Sequence, residues 1–332
     1  MAGRQRSKNI AASVGKEVAY KRANKKRGIL LAMVTSALEP DVSNHWIQAE
    51  PEQFREKFNR KSFEIAHSLA AHPLFQLPKL MELAERTLKT RPNDLYYNAG
   101  DVRIEQRWDE VPASQFTAQQ AMERIENSGA WFIFSSAQRD PEYRIFLDKG
   151  LRDLKSQIGV GIDSQILVED IIIFVTSPKR ITNYHIDREC NFLLQVRGTK
   201  TIHVFDREDR DVLPEEEIER FWSKDFNAAV YKPHLQNRAS SYKLAPGTGV
   251  HIPVNCPHWI ENDDNVSVSL SVNFQFKDPL AANPYRANFL LRKLGLKPTP
   301  PGVSPKLDAL KSLAVAPLVW AKKTSKRLKA RP

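Results

Sequence analysis

The pattern of apolar and polar residues changes near residue 165, and this change indicates the fold. Residues 52–90 predict helices, most clearly in "LPKLMELAERTL". After residue 165 the chain carries short segments that alternate or are rich in β-branched residues, with Gly, Pro, Asp or Asn between several of them. These segments are "DIIIFVTS", "TNYHID", "NFLLQV", "TKTIHVF", "TGVHIP" and "VSVSLSVNFQF". The second region therefore predicts an antiparallel sandwich or barrel.

This pattern divides the chain into five predicted parts. Residues 1–28 form a basic tail, and residues 29–164 form a helical part that packs on the core. Residues 165–277 form the barrel, and residues 278–321 return to helix. Residues 322–332 form a second basic tail. The predicted protein is thus mainly β with helices at both ends of the chain.

The formal net charge of +11 belongs to the two tails. Residues 1–28 carry +8 and residues 322–332 carry +6, so the rest of the chain carries −3. Basic tails suit an acidic partner such as RNA, the ribosome or an anionic membrane surface. A solvated tail that only aids solubility explains the charge equally well.

The sequence also predicts the compartment. No apolar run approaches the roughly 20 residues that a membrane span requires. The two cysteines, Cys190 and Cys256, provide no disulfide framework, and a reducing compartment fits them best. We therefore expect a cytoplasmic protein without a membrane span.

Several charged residues lie on apolar segments of the predicted barrel, where burial without partners is costly. Because side chains alternate along a strand, His185 and Asp187 point the same way. Lys200 shares a face with Ile202 and Val204, which turns its ammonium inward, where it needs an anion. The last predicted strand has one apolar face and one face of Ser, Asn and Gln. The barrel interior therefore predicts a cavity for a polar ligand.

A His-x-Asp pair with one distant histidine is the arrangement that holds Fe(II) and leaves coordination positions open. The best third ligand is His258, in "PGTGVHIPVNCPHWIEN", where a Gly-rich turn leads into a short strand. The alternative is that His185 and His258 are hydrogen-bonded core histidines. That alternative leaves Asp187 and Lys200 unexplained. The sequence therefore predicts a metal site at His185, Asp187 and His258.

Residues 165–277 resemble the JmjC/cupin-like branch of the Fe(II)- and 2-oxoglutarate-dependent oxygenases. Within it, the motif is most similar to that of the asparaginyl hydroxylase that modifies hypoxia-inducible factor. The family pattern runs His-x-Asp, Asn, Q-x-x-G-x-K, I-P, His and V-N-F. The matching residues here are His185-Ile186-Asp187, Asn191, Gln195 to Lys200, Ile252-Pro253, His258 and Val272-Asn273-Phe274.

The resemblance implies a double-stranded β-helix, a jelly-roll or cupin core, with helical N- and C-terminal additions. It also implies that His185, Asp187 and His258 hold Fe(II), with no catalytic residue beyond this iron centre. The implied activity is that of a dioxygenase. It couples decarboxylation of 2-oxoglutarate to succinate with hydroxylation of a substrate C–H bond.

The resemblance further implies how the co-substrate 2-oxoglutarate is held. Lys200 pairs with its distal carboxylate and Thr182 donates a hydrogen bond to it, while the keto-acid end lies beside Asn191 and Asn273. Strand parity places Thr182 on the face opposite His185, so this contact requires a kink or a bulge. The family also uses a tyrosine from an earlier strand, and the comparable stretch "AWFIFSSAQ" has none.

The sequence leaves the substrate and the reaction outcome open. A protein side chain, an RNA and a small metabolite are all compatible with the motif, and N-demethylation would use the same chemistry as hydroxylation. A different class also remains: a non-oxygenase metal-binding cupin that acts as an isomerase or as a regulatory or binding module.

The C-terminal helices predict a role in assembly. Leu307, Leu310, Leu313, Ala314 and Leu318 recur at helical spacing and form an apolar stripe outside the barrel. The resembled hydroxylase pairs through C-terminal helices, which favours a homodimer. Packing of the stripe on the protein's own barrel is the alternative. A proline at position 317 is expected to kink this helix.

Overall fold

Strands dominate the chain after residue 165, as the alternating pattern predicts. The computed structural model describes residues 45–107, 110, 116–159, 162–277 and 282–329, with backbone only at residues 163 and 318–329. The basic tail at residues 1–28 and the predicted segment from 29 to 44 lie outside the described residues. So do residues 330–332 of the second tail.

The described strands form two antiparallel sheets. Their bounds are β1 Ile47–Gln48, β2 Phe63–His67, β3 Leu95–Asn98, β4 Trp131–Phe134, β5 Ile166–Thr176, β6 Ile181–His185, β7 Cys190–Arg197, β8 Lys200–Val204, β9 Ser240–Leu244, β10 Thr248–Ile252, β11 His258–Asn262 and β12 Ser267–Phe276. The larger sheet has the order β1-β2-β10-β7-β12-β5-β4-β3. The smaller sheet has the order β6-β11-β8-β9.

The described helices lie before and after the strands of the core and in one long insertion between β8 and β9. Their bounds are α1 Pro51–Lys57, α2 Leu77–Thr90, α3 Ala118–Glu123, α4 Arg144–Ile158, α5 Ile162–Gln165, α6 Glu215–Trp222, α7 Ala282–Lys293 and α8 Pro305–Lys329. No helix within the described ranges is long and apolar enough to cross a membrane.

The two sheets face each other as a double-stranded β-helix. From β5 onward the chain crosses between the sheets, so that β10-β7-β12-β5 of the larger sheet faces β6-β11-β8-β9. This arrangement confirms the predicted fold class, mainly β with a jelly-roll core and flanking helices. The Asp, Asn, Gly and Pro residues between several of the segments are typical of the turns at which the chain reverses direction.

The strand β12 shows how alternation builds the two faces of the larger sheet. Val268, Leu270, Val272 and Phe274 are buried in the main core, which they share with α4. Ser271, Asn273 and Gln275 point to the other side and line a cavity between the sheets. The predicted polar interior is therefore confirmed for this strand.

The helical prediction for residues 52–90 is correct in part. Residues in α1 and α2 are helical, but Phe63–His67 form β2, which pairs with β1 and β10. Within "FEIAH" alternate residues are buried, and Phe63, Ile65 and His67 face the interior. A period of two is typical of a strand, and this segment completes its backbone hydrogen bonds by pairing with β1 and β10.

The C-terminal helices expose the predicted apolar stripe. In α8, Leu307, Leu310 and Leu313 are 43%, 64% and 72% exposed. The helix continues through Pro317 to Lys329. A proline inside a helix removes one backbone hydrogen bond, and here the chain is helical both before and after the proline. The side chain of Leu318 lies outside the described residues, and the homodimer stays a prediction.

Candidate active site

A cavity of about 540 Å³ lies between the two sheets. Its wall includes residues from both sheets and from the insertion between β8 and β9. All seven residues predicted to form the site line this cavity: Thr182, His185, Asp187, Asn191, Lys200, His258 and Asn273. The structure thus brings together polar groups that are up to 91 residues apart in the sequence.

The candidate metal ligands converge at one point of the cavity. Asp187 Oδ2 lies 3.9 Å from His185 Nε2 and 3.7 Å from His258 Nε2. The candidate ligand atoms of the three residues all lie within 4.8 Å of one another. These separations suit ligands that share one metal ion.

Strand pairing explains why the three residues meet. His185 at the end of β6 is directly opposite His258 at the start of β11. Asp187 follows β6 in the turn, and its carbonyl accepts a hydrogen bond from Asn255 N at 3.0 Å. This bond ties the turn after the first histidine to the turn before the second.

Backbone carbonyls fix the orientation of both imidazoles. His185 Nδ1 lies 2.7 Å from the Asn183 carbonyl oxygen, and His258 Nδ1 lies 3.0 Å from that of Cys256. A carbonyl only accepts, so each Nδ1 carries a hydrogen and donates it, and each Nε2 faces Asp187. Burial, with His185 nearby, lowers the pKa of His258 to about 4, which keeps it neutral. Neutral imidazoles with an anchored second nitrogen are typical of metal ligands.

A β-bulge places Thr182 in the cavity with His185. The pairing of β6 with β11 shifts by one residue between His258 and Ile260, so Thr182 lies opposite Ile260. The bulge reverses the parity that separates Thr182 from His185 in a regular strand. Both residues consequently line the cavity, as the predicted contact requires.

Lys200 is a buried cation without a described anion. Its ammonium donates to Ser269 Oγ at 2.5 Å, and the Ser269 hydroxyl donates to Gln195 Oε1 at 2.7 Å. Within the described ranges no carboxylate forms an ion pair with Lys200, which is 3% exposed. Burial lowers the pKa of Lys200 to about 7. The environment therefore favours binding of an anionic ligand, which would restore the charged form.

Two asparagines face each other across neighbouring strands. Asn191 on β7 pairs with Asn273 on β12. Asn273 Oδ1 accepts a hydrogen bond from the Ser271 hydroxyl at 2.9 Å. Asn191 Oδ1 is buried and has no hydrogen-bond partner among the described residues. Such an orphaned acceptor indicates a missing ligand or water.

The wall formed by β4 differs from the family pattern. Trp131, Ile133 and, just after the strand, Ser135 line the cavity. The cavity residues within the described chain include no tyrosine. This wall therefore offers, within the described residues, no tyrosine for the contact that the resemblance implies.

Sequence analysis missed several residues at the open end of the cavity. Arg188 and Glu189 line it immediately after Asp187, and Phe221 and Phe226 reach it from the insertion between β8 and β9. Burial and the nearby Asp187 raise the pKa of Glu189. The position of Glu189 two residues after the candidate ligand Asp187 was the available signal, whereas no local pattern predicts where a long insertion folds.

No family model matches the chain, and no curated protein matches it either. Among solved structures it is similar to those of the Escherichia coli ribosomal oxygenase YcfD. One has a TM-score of 0.48 at 16% identity, covering 86% of this chain and 70% of that chain. Another, in complex with cobalt and 2-oxoglutarate, has a TM-score of 0.47 at 15% identity, covering 82% and 68%. This similarity is too low to carry an inference about activity, so the function rests on the site.

Proposed function

We propose that this protein is an Fe(II)- and 2-oxoglutarate-dependent oxygenase of the JmjC/cupin-like type. The observation that carries the proposal is that one cavity holds both a His-Asp-His ligand set and a buried ammonium without an anion. The ligand set suits a divalent metal with open coordination positions. The ammonium suits the distal carboxylate of a dicarboxylate co-substrate.

His185, Asp187 and His258 would hold the iron. Three protein ligands occupy half of an octahedral shell and leave three positions for a bidentate co-substrate and dioxygen. When bound, iron would supply the conversion of 2-oxoglutarate, dioxygen and a substrate C–H to succinate, CO₂ and a hydroxylated product. The two backbone carbonyls hold the imidazoles so that both Nε2 atoms remain available.

The remaining predicted residues would bind and orient 2-oxoglutarate. Lys200 would pair with its distal carboxylate, while Ser269 accepts a hydrogen bond from the ammonium and donates one to Gln195, which keeps the ammonium in place. The hydroxyl of Thr182 reaches the same cavity because of the bulge in β6. Asn191 and Asn273 would lie beside the keto-acid end. The closer likeness to the hydroxylase of hypoxia-inducible factor remains a prediction, as do the substrate class and the roles of the basic tails.

A turnover assay tests the proposal. The purified full chain is incubated with Fe(II), ascorbate and 2-oxoglutarate, and succinate is followed by NMR, since such enzymes turn over slowly even without substrate. We expect succinate to form only when iron, oxygen and the intact ligand set are all present. Binding of a divalent metal without any succinate, at high enzyme concentration, would favour the non-oxygenase cupin instead.

A further inference from the structure

The helix α8 turns an apolar side away from the rest of the protein. Leu307, Leu310 and Leu313 follow one another at three-residue spacing, and all three are exposed. We call these three residues the leucine face. Surface helices normally do the opposite and pack their apolar side on the core.

A buried valine and polar contacts hold α8 in this orientation. Lys311 Nζ donates to the Thr299 carbonyl oxygen at 2.6 Å, and Asp308 Oδ2 accepts from Gly302 N at 2.7 Å. Val315 is only 6% exposed. At 3.6 residues per turn, positions 308, 311 and 315 share one side of the helix, and the leucine face lies on the opposite side. The fold itself therefore directs the leucines outward.

The segment between α7 and α8 adds further exposed apolar side chains. Leu294 and Leu296 are 76% and 54% exposed, and Val303, four residues before the leucine face, is 68% exposed. Seven of the fourteen exposed large apolar residues of the described chain lie within residues 290–313. Single exposed apolar residues are normal, but such a concentration marks an interaction surface.

Positive charge accompanies this apolar surface. Residues 293–329 contain nine Lys or Arg and one acid, Asp308. Five of the cations follow the leucine face within α8, whose backbone is helical to Lys329. They are Lys322, Lys323, Lys326, Arg327 and Lys329.

Helical periodicity separates the cations from the apolar positions. At 3.6 residues per turn, Leu318, Ala321 and Leu328 occupy positions on the side of the leucine face, and the five cations occupy positions outside it. An apolar side with Lys and Arg around the rest of the helix is typical of helices that lie in a membrane interface.

An anionic lipid surface matches both features at once. Its headgroups meet Lys and Arg, and the boundary with the acyl chains accepts leucine side chains. A second copy of the chain, which the resemblance favours, would cover the leucine face but add a second set of the same cations. An RNA would neutralise the cations and leave the leucine face exposed to water.

We propose that α8 is an amphipathic helix that lies on an anionic lipid surface, with the leucine face in the boundary between headgroups and acyl chains. The segment with Leu294, Leu296 and Val303 contacts the same surface. Attachment of this kind is independent of the chemistry in the cavity, so it stands or falls separately from the oxygenase.

Vesicle flotation with the full chain tests the proposal. One set of vesicles is phosphatidylcholine alone, and the other contains about a quarter phosphatidylglycerol. We expect the partition coefficient on the anionic vesicles to be at least about tenfold higher, because several basic residues each add to the attraction. Lys322→Gln with Lys323→Gln should reduce this preference by about tenfold.

A pair of leucine substitutions separates the proposed mode from attraction by charge alone. Leu310→Gln with Leu313→Gln keeps every charge and should lower the partition coefficient on anionic vesicles at least about tenfold, because the helix loses apolar area to bury. The matched control is Leu88→Gln with Ile145→Gln, two exposed apolar residues on α2 and α4, and it should bind like the unmodified chain. Circular dichroism establishes that both variants are folded.

Three results would overturn the proposal. The first is failure of the unmodified chain to bind anionic vesicles. The second is binding that survives in the leucine variant, which would reduce the interaction to charge on the basic segments. The third comes from light scattering without vesicles: a dimer that the leucine variant converts to a monomer would assign the leucine face to a second copy.

Discussion

His251 and His258 are both deeply buried histidines, and the regions around them use the imidazole differently. His251 packs between Phe63 and Phe192 on the helix side of the larger sheet. Its Nδ1 lies 3.0 Å from the Asn191 carbonyl oxygen, and its Nε2 accepts from Asn59 N at 2.9 Å. His258 also has its Nδ1 on a carbonyl, but its Nε2 faces the carboxylate of Asp187 inside the cavity.

Burial alone therefore does not identify a ligand-binding histidine. Burial lowers the pKa of both residues, to about 3 for His251 and about 4 for His258. What differs is the second nitrogen: the backbone satisfies it in His251, whereas in His258 it converges with another imidazole and a carboxylate. The same contrast holds for other polar groups in the cavity, since among the described residues Lys200 has no anion and Asn191 Oδ1 has no hydrogen-bond donor, and a ligand would supply both. On this basis, substitutions near His251 should cost stability and substitutions in the cavity should cost ligand binding.

The largest effect is expected from His258→Ala. Loss of an outer-shell partner alone can cost up to about 100-fold in metal affinity or activity, and loss of a ligand should cost more. Metal-dependent succinate formation should consequently fall below detection while the chain stays folded. Titration with Mn(II), followed by electron paramagnetic resonance, measures the metal affinity directly. Unchanged Mn(II) affinity in the variant would remove His258 from the ligand set.

Lys200→Met should weaken co-substrate binding and stabilise the ligand-free protein at the same time. Removing one partner of a buried charge pair costs about 3–5 kcal/mol, which corresponds to roughly 10²–10⁴-fold in 2-oxoglutarate affinity. In the ligand-free protein the substitution removes a buried charge that has no anion within the described part of the chain, so the free energy of unfolding should rise. Calorimetry and denaturant unfolding measure the two effects.

The matched control for this substitution is Lys243→Met. Lys243 lies on β9 with its side chain 64% exposed, paired with Asp263. The Lys243→Met substitution should change neither the 2-oxoglutarate affinity nor the free energy of unfolding appreciably, because exposed ion pairs contribute only about 0–1 kcal/mol. A Lys200→Met variant that loses stability and binds 2-oxoglutarate normally would show that Lys200 is a structural residue like His251.

His251→Ala should have the opposite profile. It removes an aromatic ring from a packed cluster and leaves Asn59 N–H without its acceptor, at a cost of about 3 kcal/mol of unfolding free energy. Chemical denaturation measures this loss. Mn(II) affinity of the folded fraction should remain that of the unmodified chain, and a large drop in that affinity would contradict the division between the two regions.

The core of the fold could be predicted from sequence because alternation is local. The face of β12 that carries Asn273 follows directly from its period of two. In contrast, β9 and β11 were not predicted as strands. Their assignment depends on pairing with β8, which is distant in sequence.

The site shows the same limit. That the candidate ligands and Lys200 line one cavity could be predicted from their spacing and from the family motif, since most of these residues lie close together in the sequence. The parity of Thr182 could not, because the bulge arises where β6 meets β11. Likewise, Glu189 lies in a turn, where side-chain direction does not follow strand alternation, and its partner Gln275 is 86 residues away.

The smallest predicted effect is a pH dependence of co-substrate binding. In the ligand-free protein the pKa of Lys200 is about 7, well below the ordinary 10.5, because burial disfavours the charge. Binding of a dianion favours the protonated form and raises this pKa, so binding takes up a proton at any pH between the two values. Affinity for 2-oxoglutarate should accordingly be constant below about pH 6 and fall by up to about tenfold per pH unit above pH 7.

Calorimetric titration of the Mn(II)-loaded chain in buffers of different ionisation enthalpy measures the proton uptake on binding. It should give about one proton taken up at pH 8 and almost none at pH 6. Absence of uptake at pH 8, or uptake that persists in Lys200→Met, would mean that the ammonium of Lys200 does not meet the co-substrate.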